Sequence, residues 1–254
     1  TGFLGGDCTN TTLNESTLLD MADQLLTRGP DSSGIWLDAS AKIGLAHRRL
    51  AIVDLSAAGH QPMSSGSDRY VITYNGEIYN SSEIRHDLTG SRLQPKWRGH
   101  SDTETLVAAF DVWGIKETIT RVKGMFAIAI WDKECEELSL VRDRIGEKPL
   151  YYGWQGSGSK RTFLFGSELK ALKRHSSFTN DIDRASLALY MRYCYVPTPH
   201  SIYEGIKKLE PGTILTISLK QNSCRSEKYW DTLDVVRKGA KEPFEGSVSE
   251  ITNN

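Results

Sequence analysis

Short stretches of β-branched, aromatic and other apolar residues recur through the chain and limit its fold more than any other feature. Some alternate apolar with polar residues and others are continuously apolar, and both patterns are typical of strands when turn residues bound them. Sheet is therefore expected to dominate the centre of the chain. The predicted strands are residues 42–53, 70–74, 125–131, 138–142, 162–165 and 213–219.

Three other segments have the spacing of amphipathic helices. In residues 16–26 the apolar side chains share one face until a Gly-Pro pair ends the pattern. The other two are residues 102–113, closed by Gly114, and residues 184–193. Because the strands come in runs with helices set between them, we expect helices packed on sheets in layers, which is the α+β class, and not an alternating βαβ winding.

The charge balance argues against a polyanionic partner. The 254 residues include 31 lysines and arginines against 32 aspartates and glutamates, a formal net charge of −1. No net field recruits nucleic acid or an anionic membrane, so neither partner is expected. The sequence has no apolar run near the roughly 20 residues that span a bilayer, and its start lacks a signal-peptide pattern. We expect a cytoplasmic protein with a small-molecule substrate.

Cysteine and histidine spacing predicts no metal site. The cysteines show no C-x-x-C spacing and the histidines form no cluster of metal-ligand type. We expect reduced thiols at Cys8, Cys135, Cys194 and Cys224. The Gly-rich residues 156–159 lack the Gly-Lys-Ser/Thr ending of a phosphate loop and are interpreted as a hairpin loop. No cofactor is therefore expected in this segment.

Short motifs carry the functional information. The chain has Arg-Gly-Pro-Asp at residues 28–31, Arg-Leu-Ala-Ile-Val-Asp at 49–54, Asn-Gly-Glu-Ile-Tyr-Asn at 75–80 and Gly-His-Ser-Asp-Thr-Glu at 99–104. This set resembles the glutamine amidotransferase domain of glutamine-hydrolysing asparagine synthetases, members of the N-terminal nucleophile hydrolase superfamily. The resemblance extends almost from end to end through residues 142–152, 166–172, 195–197 and 208–212.

The resemblance implies a fold, a division of the chain and a partner. The fold would be a four-layer αββα sandwich of the N-terminal nucleophile hydrolase type. Residues 1–190 would form the glutaminase domain, and residues 191–254 a connecting segment and the start of a truncated synthetase domain. That missing domain would use ATP and Mg²⁺ to amidate aspartate or a related acid with ammonia from L-glutamine. A homodimer is left open.

The first residue departs from the family pattern. The family's mature chain starts with Cys-Gly, whereas this chain starts with Thr1-Gly2. An N-terminal residue supplies both nucleophile and base, because its α-amino group has an unperturbed pKa of about 7.7 to 8.0. Thr is stiffer at χ1 than Cys and its hydroxyl is less acidic than a thiol. Thr27 is a second departure, since the family commonly has His there.

Three interpretations of Thr1 follow, and the third is disfavoured. In the first it is the catalytic nucleophile of an active glutaminase. In the alternative the domain is catalytically impaired, and serves as a glutamine-binding or structural part of a synthetase that uses free ammonia. A third reading, a peptidase or amidase with an N-terminal Thr, is disfavoured because Arg49 and Asp102 would bracket a free amino acid.

The resemblance also assigns the contacts to the carboxylate end of the substrate. Arg49 would hold the α-carboxylate of glutamine bidentately. Arg48 would point to the opposite face if this segment is a strand. The next four residues, Leu50, Ala51, Ile52 and Val53, would border the substrate, largely through backbone groups of Ile52 and Val53.

The remaining assigned residues serve the reacting amide and the amino end. Asn75 Nδ2 and the Gly76 N–H would be the oxyanion donors, and Glu77 and Asp102 would contact the α-ammonium group. From the pattern alone, Asn75-Gly76 is instead a strong type I′ hairpin turn. Without the resemblance, the pattern indicates that Asp102 is an acid in the first turn of a helix, with Ser101 as the cap.

Overall fold

The computed structural model describes residues 1–6, 11–52, 54–91, 95–243 and 246, with side chains in the second range from residue 14 onward. The helices are α1 (Thr11–Asp23), α2 (Ser81–Thr89), α3 (Asp102–Arg121), α4 (Leu169–Leu172), α5 (Arg184–Tyr193) and α6 (Thr232–Lys241). The strands are β1 (Gly2–Gly5), β2 (Ser32–Asp38), β3 (Ile43–Arg49), β4 (Met63–Ser64), β5 (Tyr70–Ile78), β6 (Gly124–Asp132), β7 (Glu137–Arg142), β8 (Tyr151–Gln155), β9 (Thr162–Gly166), β10 (Ile206–Lys208), β11 (Thr213–Ser218) and β12 (Ser223–Lys228).

The strands form two six-stranded sheets in which neighbours run antiparallel. The first sheet has the order β10-β8-β9-β1-β3-β2, and the second has the order β12-β11-β7-β6-β5-β4. The short β1 lies in the middle of the first sheet, where Gly2 is opposite both Phe165 of β9 and Leu45 of β3. The start of the chain is therefore held by a strand on each side.

Helices cover the outer face of each sheet. α1 and α4 pack on the first sheet through an apolar cluster that includes Leu18 and Leu172. α2 and α3 pack on the second sheet through a cluster that includes Leu88 and Leu106. A third cluster, which includes the fully buried Trp131, lies between the sheets. This order of layers confirms the predicted α+β class and the four-layer αββα sandwich.

The predicted strands all occur, with ends that differ by a few residues. The strand predicted at 70–74 continues to Ile78, and the one predicted at 42–53 ends at Arg49. The predicted hairpin loop at 156–159 does join β8 to β9. Helix α3 passes Gly114, where the pattern ended it, although Gly114 itself has a non-helical φ of 76°. Among the strands that the pattern missed, β1, β4 and β10 are very short and β12 is polar and largely exposed.

The chain beyond residue 190 contributes to both sheets. β10 pairs with β8 at the edge of the first sheet, and β11 pairs with β7 in the second. Both are thus built into the sandwich, although the sequence placed the end of the first domain after residue 190. That boundary stays a prediction. Cys135, Cys194 and Cys224 are free thiols, and Cys8 lies outside the described residues.

A buried carboxylate organises the loop after β7. Asp143 is fully buried, and its oxygens accept N–H groups from Phe126, at 3.2 Å, and from Gly146, Glu147 and Lys148 at 2.6, 2.9 and 2.9 Å. A carboxylate needs several such donors to offset the cost of leaving water. The loop is therefore folded around this one side chain, and it carries Lys148 and Leu150 to the cavity described below.

Replacing Asp143 with Asn tests this dependence. The amide keeps the shape but loses the charge, and it presents an NH₂ group to backbone N–H donors. We expect Asp143→Asn to lower the free energy of unfolding by about 3 kcal/mol, measured by urea denaturation. The matched control is Asp87→Asn on the exposed surface of α2, which should change it by less than about 0.5 kcal/mol. Equal effects of the two substitutions would contradict this role for Asp143.

Candidate functional site

A cavity of about 390 Å³ lies between the two sheets, large enough for an amino acid. Its wall includes Thr1 and Arg49 from the first sheet, Asn75 from the second, and Asp102 from the start of α3. Residues far apart in the sequence are thus brought to one place, because the start of β1, the end of β3 and the interior of β5 border the same cavity. The structure brings together most of the residues that the sequence singled out.

Thr1 is buried, with 8% of its surface exposed, and its polar groups contact backbone carbonyls. Its α-amino nitrogen donates to the Ala46 carbonyl at 2.9 Å, and its Oγ1 donates to the Phe165 carbonyl at 3.0 Å. Burial lowers the pKa of the α-ammonium group to about 5. The amine is therefore neutral at pH 7 and lies on the same residue as the hydroxyl.

The residue after Thr1 must be small. A Cβ added at Gly2 would lie 2.2 Å from the Gly44 carbonyl oxygen and 2.6 Å from a ring carbon of Phe165. Both neighbours belong to the part of the sheet that holds β1 on its two sides. Close backbone approach in the centre of the sheet therefore explains the glycine at position 2.

Arg49 is the last residue of β3, and its guanidinium faces the cavity. Its Nη1 donates to the Ser56 carbonyl at 3.0 Å and its Nη2 to the Asp54 carbonyl. These bonds orient the group and leave further N–H donors for a ligand, since a guanidinium has five. Arg48 also borders the cavity, but its side chain turns the other way: its Nε donates to the Gly29 carbonyl at 3.2 Å, and its guanidinium lies 3.5 Å from Asp23 of α1. The strand alternation predicted for this arginine pair is confirmed.

Leu50, Ala51 and Ile52, which follow Arg49, are not part of a strand. Leu50 and Ile52 line the cavity and are exposed, at 53% and 74%. Ala51 is not among the lining residues, and its N–H donates to Asp31 Oδ2 at 2.8 Å. This bond ties the segment to the Arg-Gly-Pro-Asp loop. Val53 lies outside the described residues.

Asn75 and Gly76 lie inside β5, so the hairpin-turn interpretation is wrong. They pair with Ala127 and Phe126 of β6. Turn statistics favour Asn-Gly at a chain reversal, but here the sheet continues on both sides of the pair. A Cβ at position 76 would come 2.2 Å from the Met125 carbonyl oxygen, so crowding across the two strands requires glycine. Asn75 Nδ2 is buried and has no hydrogen-bond partner among the described residues.

The backbone of β5 leaves one N–H at its edge. In an antiparallel strand alternate residues bond to opposite neighbours. The Tyr74 N–H donates to Gln61 Oε1 at 2.7 Å and the Ile78 N–H to Asp102 Oδ2 at 3.0 Å, both on the side away from β6. The Gly76 N–H, midway between them, points to the same edge. It makes no bond to a described side chain or loop carbonyl.

Glu77 and Asp102 provide negative charge at the cavity. Glu77 is exposed, and Asp102 is buried with 8% of its surface exposed. Ser101 is the cap of α3, because its hydroxyl accepts the Glu104 N–H at 3.2 Å. Asp102 is therefore in the first helical turn and at the cavity wall at once, so the two readings of this residue are not exclusive.

A family model described as a glutamine amidotransferase domain matches residues 1–230. The chain belongs to the glutamine amidotransferase domain family. This confirms the resemblance that the motifs carried. The matched region extends past residue 190 and includes β10, β11 and β12.

Relatives of this amidotransferase domain are named asparagine synthetases. The Bacillus subtilis protein named asparagine synthetase [glutamine-hydrolyzing] 3 is 34% identical over 249 residues, 92% of this chain and 38% of that protein. Asparagine synthetase [glutamine-hydrolyzing] 1 of the same organism is 36% identical over 203 residues, 80% of this chain and 30% of that protein. Amidase chry2 of Gibberella zeae is 29% identical, over 90% of this chain and 32% of that protein. The chain thus spans about a third of the length of these relatives.

Solved structures share the fold of the amidotransferase domain. The glutamine phosphoribosylpyrophosphate amidotransferase of Bacillus subtilis, in complex with ADP and GMP, matches with a TM-score of 0.60 and 18% identity. The match covers 90% of this chain and 48% of that one. A structure described as the allosteric regulatory enzyme of purine biosynthesis matches with a TM-score of 0.63 over the same shares. These matches support the layered sandwich fold described above.

Three cavity residues of the amidotransferase domain were missed from the sequence. His47 lies on the cavity side of β3, and its Nδ1 is 3.2 Å from Thr73 Oγ1 of β5. Burial, with the nearby α-amino group and Arg49, lowers the pKa of His47 to about 3. Gln61 and Tyr74 contact the residues around Asp102. Strand alternation would have placed His47 with Arg49, but no sequence signal indicates Gln61 or Tyr74.

The described part of the amidotransferase domain offers no evident metal site. Within it, no three His, Cys, Asp or Glu side chains are grouped so as to hold a metal ion. None of its described helices has the length and apolar character to cross a membrane.

The buried amine of Thr1 predicts a pH-dependent stability for the chain that begins at Thr1. Its pKa is about 5 when folded and 8.0 ordinarily, so between these values the unfolded state holds a proton that the folded state lacks. The free energy of unfolding therefore falls as the pH is lowered through this range. We expect a loss of about 1.5 to 2 kcal/mol between pH 8 and pH 6.5, measured by urea denaturation.

Two buried histidines limit the pH range in which the Thr1 amine dominates the change in stability. The pKa of His47 is lowered to about 3 and that of His175 to about 4, from 6.5, mainly by burial. Each histidine adds about 0.4 kcal/mol to the loss between pH 8 and 6.5, less than the amine does, and more below pH 6.5. His175→Gln should keep most of the change between pH 8 and 6.5 and lose part of the change below it. A stability that is constant between pH 8 and 6.5 would refute the buried neutral amine.

Proposed function

We propose that this amidotransferase domain hydrolyses the side-chain amide of L-glutamine, with Thr1 as the nucleophile. One observation carries the proposal. The buried Thr1, with its amine and hydroxyl, shares a cavity with Asn75, whose amide nitrogen is buried and unpartnered among the described residues. An N-terminal nucleophile, its own base and an unused donor for a developing oxyanion are the parts that amide hydrolysis needs.

The reaction uses these groups in sequence. The α-amine of Thr1 accepts the hydroxyl proton as Oγ1 forms a bond to the amide carbon of glutamine. Asn75 Nδ2 and the Gly76 N–H stabilise the resulting oxyanion. The ammonium then protonates the leaving nitrogen as the C–N bond breaks, which releases ammonia. Water hydrolyses the Thr1 ester to glutamate and restores the hydroxyl.

The charges at the cavity wall suit the amino-acid end of glutamine. Arg49 keeps N–H donors beyond those that bond the Ser56 and Asp54 carbonyls, and a guanidinium pairs well with a carboxylate. Asp102 and Glu77 provide carboxylates for the α-ammonium group. Leu50 and Ile52 border the substrate where they line the cavity.

The product ammonia would serve a synthetase domain in the same protein. The relatives named asparagine synthetases are about three times as long as their match to this chain, which supports such a partner. That domain would use ATP and Mg²⁺ to activate the carboxylate of aspartate or a related acid. The match of residues 1–230 and the pairing of β10 and β11 favour an amidotransferase unit that ends near residue 230.

A second candidate function is glutamine binding without hydrolysis. It is favoured by the Thr1 hydroxyl, which donates its proton to the Phe165 carbonyl and not to the amine. A Cβ at Gly166 would be 2.7 Å from Thr1 Oγ1, so the glycine provides the space that this hydroxyl occupies beside the Phe165 carbonyl. In this case the synthetase would use free ammonia, and the domain would bind glutamine or serve as a structural part.

Glutamate release from L-glutamine by Thr1 variants decides between the two. The protein is prepared with a free Thr1 amine, verified by mass. We expect Thr1→Ala to reduce release at least about 10³-fold, because it removes the nucleophile and keeps the amine. Thr1→Cys should exceed the unmodified chain because a thiol ionises far more readily. Release in Thr1→Cys alone would support binding without hydrolysis, and undiminished release in Thr1→Ala would overturn the threonine mechanism.

Arg49 and Arg48 form a matched pair for the carboxylate contact. Arg49→Lys removes the planar fork but keeps the charge, so we expect the KM for glutamine to rise about tenfold or more, with a smaller effect on kcat. Arg48→Lys lies one residue away on the opposite face and should leave KM within about twofold. Steady-state kinetics are measured with Thr1→Cys if the unmodified chain is slow. Similar KM changes in both variants would argue against the clamp.

A further inference from the structure

The carboxylate of Asp102 is held by a tyrosine from the neighbouring sheet. Tyr74 is buried, with 4% of its surface exposed, and its side chain lies on the helix-covered face of β5. Its hydroxyl donates to Asp102 Oδ2 at 2.6 Å, a short bond between two buried groups. A hydrogen bond to a charged acceptor is stronger than one between neutral groups, so this contact fixes the side chain at the start of α3.

Only one oxygen of Asp102 is used in this way. Oδ2 also accepts the Ile78 N–H at 3.0 Å, whereas Oδ1 accepts no hydrogen bond from the described residues. The two bonds to Oδ2 set the rotation of the carboxylate. Oδ1 is then available to a cation in the cavity that Asp102 lines.

Gln61 makes a second link between β5 and the start of α3. Its Oε1 accepts the Tyr74 N–H at 2.7 Å, and its Nε2 donates to Thr103 Oγ1 at 3.2 Å. Because β4 pairs only with Val71 and Ile72, the side chain of Gln61 takes the place of a longer edge strand. β5 and the start of α3 are thus joined at Tyr74, Gln61 and Ile78, and the Gly76 N–H lies between two of these contacts.

We propose that the Tyr74 hydroxyl is a positioning group that orients Asp102 to receive the α-ammonium group of glutamine. The proposal rests on the proposed function and specifies how that site tells an amino acid from its deaminated analogue. Without the hydroxyl, Asp102 keeps a single bond to Oδ2 and its carboxylate can rotate away from the cation. Recognition of the ammonium group weakens while the amide and carboxylate contacts remain.

The donor does not titrate at the pH of an assay. Burial, followed by the adjacent Asp102 charge, raises the pKa of Tyr74 well above its usual range. The phenol therefore stays protonated wherever the substrate ammonium group is charged. An effect of removing it should accordingly be the same across neutral pH.

Tyr70 is a matched control on the same strand. It is buried to the same degree on the same face of β5, and its ring packs at 5.9 Å from the Phe110 ring. Its hydroxyl makes no hydrogen bond among the described residues and does not contact Asp102. Tyr70→Phe and Tyr74→Phe therefore remove the same atom from two tyrosines on one face of β5, and only the second alters the Asp102 carboxylate.

The experiment measures binding in the Thr1→Ala background, where no turnover occurs. L-Glutamine is compared with glutaramate, the same molecule without the α-ammonium group, by calorimetry and by NMR titration up to millimolar ligand. We expect Tyr74→Phe to weaken glutamine binding about tenfold and to leave glutaramate binding within about twofold. Tyr70→Phe should leave both affinities unchanged.

The ratio of the two affinities within each variant is decisive, because a partly unfolded variant weakens both ligands alike. Equal losses for both ligands in Tyr74→Phe, or an unchanged affinity for glutamine, would overturn the positioning role and leave the proposed function standing. Failure of the Thr1→Ala parent to bind glutamine would overturn the proposed function and this inference together.

Discussion

The pairing of β1 between β9 and β3 is the constraint on which the site depends. A four-residue strand in the centre of a sheet is held by backbone bonds on both sides, so the residue before it has a fixed position. Thr1 is that residue, and its amine and carbonyl both bond to Ala46, at 2.9 and 2.8 Å. The same burial that fixes the amine removes its charge. Position and protonation state therefore have one cause.

The second sheet contributes an unfinished edge. β4 is too short to pair with the whole of β5, so the N–H groups of Tyr74, Gly76 and Ile78 lack strand partners. The side chain of Gln61 accepts the Tyr74 N–H, and the side chain of Asp102 accepts the Ile78 N–H. The Gly76 N–H between them has no such partner among the described residues. An unpaired strand edge can bind another strand. Here the open edge of β5 can instead bind a polar ligand atom next to the buried amide of Asn75.

The sequence was sufficient for the class of fold and for most of the cavity wall, and its failures have a physical origin. The apolar runs located the central strands because burial on both faces of a sheet demands such residues. The pattern alone favours a turn at Asn75-Gly76, because local statistics favour a chain reversal and the crowding against Met125 depends on a strand that is distant in the sequence. Gln61 and Tyr74 gave no signal, because their importance lies in contacts made across the chain.

The two halves of the cavity must also keep a fixed separation, and His47 makes a direct contact between them. It joins β3, which holds the Thr1 amine, to Thr73 of β5, two residues before Asn75. A cation there would face the α-amino group, Arg49 and His60, and together with burial this lowers its pKa to about 3. The link between nucleophile and oxyanion donor therefore does not titrate near neutral pH. A change in the separation of these strands must then come from packing between the sheets and not from the protonation of this contact.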